Sequence, residues 1–489
     1  MARQDGIEQI FKDIYQTLGY TPTNNSIKPV HIVNGLCRAC LGGYYDTRPL
    51  NRTAVWWVRK QKAGFDEERN PSNALLEEYS TLWPNVATSQ QQARFEDFRR
   101  LLKATYGADG AVYEQGDQSS FTLANERAVT GDRSHNGVGR FLYRLLTAGR
   151  GAAGSPTVAW LLEVLQDNTD PWSTLAWPLL ERSQWRPDST SEEAVESLDS
   201  PIMRGLRAAF DRLAQFERRR RSKLSGLRRL GLLSSFATFL HLITRWVETA
   251  KSDEQAARPP ILFDVSEGTL RSVAIASHAS FRAAGQAVEQ FLRYRVKVAF
   301  ESEGSLPTSD DDARAFLTQL AGEEKNRERL LQRFIALRQS EGYSVADAVV
   351  RSVVDQGLES RTGSPMGFLK ELGRRAGFVG PWGNRSERKR YQVTSDFLEV
   401  LVIATVDQGE PVEFPALLDQ WRSQFGVVVG QEKDDDVIRR NNLLPYVFGL
   451  PTPVDEDELR QNVKLLKRHL EDIGYAHTYA DGTTIVLVE

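Results

Sequence analysis

The chain has 489 residues, 40% of them hydrophobic and 26% charged, with a formal net charge of −3. That length exceeds what one hydrophobic core serves and predicts roughly two to four domains. The composition is that of an ordinary globular protein, the charge excludes a uniformly basic nucleic-acid binder, and a mere two cysteines exclude a secreted disulfide framework.

The opening stretch MARQDGIEQIFKDIYQTLGY lacks the basic-then-apolar order of a secretory leader. No apolar run approaches the roughly 18 residues of a membrane span, so the expectation is a cytoplasmic chain without membrane contact. Cys37 and Cys40, in LCRAC, have the spacing of half a zinc site, and His31 lies upstream of them. No second cysteine pair exists and Gly42 and Gly43 follow at once, so the pair reads as two reduced thiols after a short helix, with no metal. TAVWWV reads as a strand. His135, in GDRSHNGVGR, is a lone loop histidine with no assigned role. GRGAAG carries Gly149, Gly151 and Gly154 at the spacing of the dinucleotide fingerprint, but it follows the helical pattern GRFLYRLLTA rather than a strand. It is expected to be a linker, with Ser155 and Pro156 opening the next helix.

In PIMRGLRAAFDRLAQF, Met203, Leu206, Phe210, Leu213 and Phe216 recur at steps of three or four and line one helix face. LGLLSSFATFLHLITRW is apolar nearly all round and reads as a buried helix. Between them lies RRRRSKLSGLRR. From Pro201 to Leu230 the basic residues are Arg204, Arg207, Arg212, Arg218, Arg219, Arg220, Arg221, Lys223, Arg228 and Arg229, opposed by Asp211 and Glu217 alone; ten minus two leaves an excess of eight. The seven from Arg218 to Arg229 are expected to form a phosphate-binding patch, since the arginine fork suits phosphate geometry. A solvent-facing run or a site for an acidic partner protein meets the same description.

RPPILFDV and RYRVKVAF read as strands. Asp264, Glu267 and His278 lie in ILFDVSEGTLRSVAIASHASF and raise the alternative of a hydrolytic site. The paired carboxylates and nearby lysine of a metal nuclease are missing there, and His278 reads better as a capping or hydrogen-bonding residue. Further on, acid gathers in SDDDARAF and QEKDDDVI. SDDDARAFLTQL opens a helix at Ser309 or Asp310, and SPMGFLKEL opens one with Ser364 as cap and Pro365 at the first position.

The last hundred residues follow a more specific order. A basic cluster, Arg385, Arg388, Lys389 and Arg390, lies beside Trp382 and Tyr391, which could stack on bases; a solvated linker is the plainer account. TSDFLEVLVIATV predicts a helix capped by Thr or Ser, and FPALLDQWRSQFG a second one ending at Gly426, followed by the short strand VVVG. DEDELRQNVKLLKRHLEDIG places Leu459, Val463, Leu466, Leu470 and Ile473 on one face and Arg460, Lys464, Lys467 and Arg468 on the other. YAHTYADGTTIVLV then predicts a hairpin turning at Asp481-Gly482. Helices followed by a hairpin make a winged-helix-like region whose last helix could meet phosphates, although Glu456, Asp457 and Glu458 in its first turn would repel DNA.

The passage RKRYQVTSDFLEVLVIATV with VEFPALLDQWRSQFGVVVG resembles the C-terminal parts of accessory subunits from bacterial anti-phage defence systems, of the phosphorothioation-dependent or methylation-associated type. The resemblance covers about a fifth of the chain and transfers no residue role. It implies company with separate ATPase, nuclease or methyltransferase subunits.

The expected fold class is mainly α with small β elements, in four segments: 1–150, 151–302, 303–383 and 384–489. The chain has no GxxxxGK[ST] loop and no cofactor is expected. The function expected is a non-enzymatic DNA-binding or DNA-sensing subunit of a DNA-processing complex. The alternatives are a scaffold that docks acidic partner proteins and an enzyme with a site near Asp264 and His278.

Overall fold

A computed structural model describes residues 6–23, 27–45, 125–129, 135–167, 184–188, 198–249, 258–304, 306–322, 324–359, 365–381, 388–434 and 454–489, with a few isolated positions besides. The expected strand TAVWWV, the Ser364 cap, Trp382 and Arg385 fall outside the described residues.

The protein is mainly helical. In chain order the helices of the first half are α1 (Gly6–Leu18), α2 (Pro29–Leu41), α3 (Val138–Thr147), α4 (Pro156–Gln166), α5 (Pro201–Arg218) and α6 (Lys223–Thr249). Those of the second half are α7 (Arg271–Glu303), α8 (Asp310–Leu320), α9 (Glu324–Gln339), α10 (Val345–Gly357), α11 (Pro365–Ala376), α12 (Ser395–Ile403), α13 (Phe414–Phe425) and α14 (Glu456–Asp472). The strands are β1 (Gly43–Tyr45), β2 (Trp185–Pro187), β3 (Ile261–Leu262), β4 (Val412–Glu413), β5 (Val427–Val428), β6 (Ala476–Thr478) and β7 (Thr484–Val486). β1 and β2 pair antiparallel, β3 and β5 parallel, and the third sheet has the antiparallel order β4-β7-β6.

Helix starts follow local chemistry. Ser155, Ser309 and Thr394 each accept a hydrogen bond from a backbone N–H in the first turn of the helix that follows, as side-chain caps do. The linker Gly149 to Gly154 therefore joins two helices, α3 and α4, and Ser155 caps the second as expected. One element differs: RYRVKVAF belongs to α7 and is no strand. Its valines alternate, but Val288, Phe291, Leu292, Val296 and Phe300 bury at helical spacing, while Val298 stays exposed. A strand would have put Val298 on the same side as Val296 and Phe300.

The contacts divide the chain into two compact units, neither a single run of sequence. One comprises residues 28–191 and 214–231; the other comprises 1–27, 192–213 and 232–489.

In the smaller unit α2 crosses α3 at very short range. A Cβ on Gly139 would stand 2.2 Å from the carbonyl carbon of Gly35, so Gly139 must be glycine for the backbones to meet, while a Cβ on Gly35 would run into the His135 ring at 2.5 Å. Cys37 is buried and Cys40 half-buried, and both are free thiols. Burial pushes the Cys37 thiol up to about 12 and the Cys40 thiol well above its ordinary value, so neither is a ready thiolate.

The larger unit is built on α6 and α7. Against the expectation that no apolar run approaches a membrane span, α6 is long and apolar enough to cross a membrane by length and composition, and 89% of its most apolar window is buried inside the protein, as in a core helix. Phe236 sits at its centre, edge-on to Phe378, Phe397 and Phe425 at centroid distances of 5.4, 5.2 and 5.7 Å. Met203, Leu206, Phe210 and Leu213, the predicted stripe of α5, are fully buried. At the C-terminal end, Asp434 accepts N–H bonds from Val429, Gly430 and Gln431 and pairs with Arg422 at 3.0 Å. That residue of the acidic run is thus a buried fastener of the chain behind β5.

Candidate nucleic-acid interface

Three groups of cations carry the expectation, and the fold treats them differently. The run Arg218 to Arg229 joins α5 to α6 in the smaller unit. Its opposing acids are more than the sequence neighbourhood holds. Arg218 pairs with Glu163 at 2.8 Å and Lys223 with Asp167 at 2.9 Å, acids that α4 and its end bring from far upstream. Hydrogen bonds from Thr169, and then from Lys223, hold the Asp167 carboxyl down to about 2. Arg229 pairs at 2.9 Å with Glu217, which is buried, and Arg220 lies over the Phe216 ring at 4.4 Å from its centroid. Arg219, Arg221 and Arg228 remain exposed. The excess of eight counted along the sequence shrinks further elsewhere, because Arg207 pairs with Asp199 and Arg212 with Asp407.

The cluster ahead of α12 is turned inward. Lys389 is fully buried, its ammonium bonded to the Pro381 carbonyl, and desolvation holds its pKa below the usual lysine value. Arg390 pairs through Nε with Asp264, which is completely buried, and its backbone forms both bonds of a bridge to Gly380. Tyr391 is also fully buried, packed edge-on against Phe239 and Phe281, so it cannot stack on bases. Arg388 alone of the described cluster is exposed.

The same contacts engage Asp264 and His278. One Asp264 oxygen holds Arg390, and the other accepts bonds from the Ser266 N–H at 3.0 Å and the Ser266 hydroxyl at 2.6 Å. His278 Nδ1–H donates to the Lys389 carbonyl at 2.6 Å, and the Tyr391 N–H donates to Ser277 Oγ at 3.0 Å. The two side chains pin one segment, 389–391, from both sides. That is a structural clasp around a buried ion pair, with both carboxylate oxygens engaged. Among the described residues no group of three or more His, Cys, Asp or Glu side chains could hold a metal ion.

α14 is the third group. Its buried side is Leu459, Leu466 and Leu470, with Asn462 among them. Asn462, outside the predicted apolar stripe, is fully buried and makes three bonds. Its amide donates to the carbonyls of Phe263 at 2.7 Å and Val429 at 2.9 Å, and its oxygen accepts from the Val265 N–H at 3.0 Å. One side chain thereby ties α14 to the ends of β3 and β5.

The acidic first turn of α14 is occupied as well. Asp455 caps its own helix, accepting from the N–H groups of Asp457 and Glu458, and its own N–H donates to Ser272 Oγ at 2.8 Å. The Glu458 carboxylate accepts from the Ser272 and Val273 N–H groups at 2.6 and 3.3 Å. α7 has no side-chain cap of its own, so Glu458 supplies a negative charge to the start of a 33-residue helix. Arg460 pairs with Glu456 at 3.3 Å and Asp457 at 2.8 Å.

The outer face of α14 beyond Arg460 is different. Lys464 and Arg468 are exposed and Lys467 half-buried, and among the described residues none of the three has an ion-pair partner. They occupy about one turn of helix, at steps of three and one, with Glu471 and Asp472 behind them. Glu471 is bonded to the Thr478 hydroxyl of β6. The structure therefore leaves three cations outward on α14, while it turns Lys389 and Arg390 inward and pairs Arg218, Lys223, Arg229 and Arg460 with its own acids. Arg219, Arg221 and Arg388 stay on the surface as scattered charges.

Compared with known proteins, the chain matches no family model, no curated protein and no solved structure.

Proposed function

We propose that the protein is a non-enzymatic nucleic-acid-binding subunit, cytoplasmic and part of a bacterial DNA-processing or anti-phage assembly. In this reading α12, β4, α13, α14, β6 and β7 form a winged helix. The order helix, strand, helix, helix, strand, strand supports it once β5, which lies between α13 and α14 and pairs with β3, is set aside, as does a sheet in which the first strand pairs with the last. The resemblance of the C-terminal passage to accessory subunits supports a place beside separate ATPase or nuclease subunits.

The observation that carries the reading is the outward trio Lys464, Lys467 and Arg468. Base readout by a recognition helix uses residues of its N-terminal turn in the major groove. Here that turn holds Asp455 and Glu458 against the start of α7, so the helix offers its side and not its tip. A side-on helix meets phosphates, which give affinity without sequence information. The grip is accordingly sequence-independent and modest.

Fluorescence anisotropy with labelled duplex and single-stranded DNA over a salt series tests this. Three phosphate contacts give a slope of log K against log salt of about −2 to −3. Lys464→Glu/Lys467→Glu/Arg468→Glu should abolish binding, and Arg219→Glu/Arg221→Glu should leave the slope within about one unit of the wild type. Absence of binding at low salt would overturn the reading and favour an acidic protein as the partner of the same cations.

A further inference from the structure

Tyr479 is 53% exposed, more than any other exposed large hydrophobic side chain among the described residues. It stands where β6 enters its turn, and its backbone is held on both sides. Its N–H donates to the Thr483 carbonyl at 2.9 Å, and its own carbonyl accepts from the Gly482 N–H at 3.0 Å. Gly482 has a left-handed φ of +87°, and the Asp481 carboxylate accepts from the Thr483 N–H at 2.9 Å, which closes the turn. His477, two residues back and so on the same face of the strand, is exposed too, its ring 5.0 Å from that of Tyr479 at an interplanar angle of 84°. Thr478 between them faces the other way. Its hydroxyl bonds to Glu471 on α14 and lies 2.9 Å from the Thr484 hydroxyl. The hairpin is thus fastened to the turn of α14 that follows Lys467 and Arg468.

An aromatic pair set edge to face, on a backbone already immobilised, leaves ring surface open to solvent at no further cost in order. We propose that this hairpin is a base-stacking platform, so that the protein takes single-stranded nucleic acid, or the opened end of a duplex, in preference to continuous duplex. The proposal rests on the reading of the α14 trio as a phosphate grip. Every base has a π-face, so stacking tolerates any sequence, in keeping with a helix that presents its side. Those faces are covered within a duplex and accessible in a single strand, which is what makes the platform selective for nucleic-acid form. Lys464, Lys467 and Arg468 then track the backbone while a base lies on Tyr479.

The test uses the full chain and two labelled probes, oligo-dT and a duplex closed by a hairpin at both ends. Wild type should bind oligo-dT more tightly. Tyr479→Ala should weaken oligo-dT binding about tenfold with the salt slope unchanged, and should leave the closed duplex unaffected, because one stacked base is lost and no phosphate contact. Tyr479→Phe should keep the wild-type affinity. Wild-type affinity of Tyr479→Ala for oligo-dT, with binding still lost in the triple charge reversal, overturns the platform and leaves the phosphate grip standing. An equal loss on both probes overturns it as well, by showing that Tyr479 only supports the hairpin. Failure of the wild type to bind either probe overturns both readings together.

Discussion

Lys389 and Arg390 on one side, and Lys464, Lys467 and Arg468 on the other, are equally basic stretches that a sequence describes in the same words. Lys389 is buried on a backbone carbonyl, and Arg390 is half-buried on a fully buried aspartate. The other three face outward without a counter-charge among the described residues. A cluster of cations is a candidate grip when the fold has not already supplied its anions. Those anions come from a distance: Asp264 lies 126 residues before Arg390, and Glu163 lies 55 before Arg218. The comparison predicts that inward charges govern stability and outward charges govern binding, and each variant below tests one side of it.

The largest effect is expected at Asp264. Asp264→Ala leaves the largely covered Arg390 guanidinium without its partner, and breaking one side of a buried pair costs up to about 3–5 kcal/mol. A fall in the thermal midpoint measures it. A variant that melts like wild type would break the inward half of the comparison and reopen a catalytic role for this carboxylate.

Asn462 comes next. Asn462→Ala strands two buried carbonyls and a half-buried N–H, an expected loss of about 2–4 kcal/mol. Asn462→Asp should cost at least as much, because it replaces the amide donor with an oxygen facing two carbonyl oxygens. Denaturant midpoints of the two variants against wild type check this order, and a harmless aspartate would show that α14 is held by its leucines alone.

Acid should separate the inward charges in a graded way. His135 is buried, and Arg38 Nη2 approaches its Nε2 at 2.8 Å, so that nitrogen must accept and protonation would set two cations together. Burial, then Arg38, Arg140 and His31, lower its pKa to about 3. The folded pKa lies below the unfolded value of about 6.5, so the contribution is complete above that pH. It is lost as pH falls from there towards 3, where the unfolded chain binds a proton that folded His135 does not. The slope from this group is at most about 1.4 kcal/mol per pH unit. Denaturant midpoints at several pH values should flatten in His135→Gln, and an unchanged slope would assign the acid sensitivity to carboxylates.

How much of this was legible beforehand depends on how local the cause is. Helical spacing of Met203, Leu206, Phe210 and Leu213, the caps at Ser155, Ser309 and Thr394, and the left-handed stop at Gly426 act within a few residues, and each appears as the sequence indicates. The strand expected at RYRVKVAF fails because alternation over a few residues cannot outweigh the helical burial of the 33 residues around it. The roles of Asp264, Glu163, Asp167 and Glu458 depend on pairings across the fold, which no local pattern encodes. Asn462 was within reach. Leu459, Asn462 and Leu466 keep steps of three and four, so a polar side chain on the buried stripe announces a hydrogen-bonded anchor.

The smallest expected effect on stability is the one that decides the comparison. Lys464→Glu/Lys467→Glu/Arg468→Glu removes no ion pair found among the described residues and touches no buried group, so its thermal midpoint should shift by no more than about 0.5 kcal/mol equivalent. The three new acids would follow Glu456, Asp457 and Glu458, and the helix dipole disfavours negative charge towards the C-terminal end, so a slight destabilisation is the expected sign. Loss of nucleic-acid binding on that unchanged scaffold would identify outward charge as the working element. A large drop in stability would instead mean that these side chains are held by contacts of their own, and would move Lys464, Lys467 and Arg468 into the class of Lys389 and Arg390.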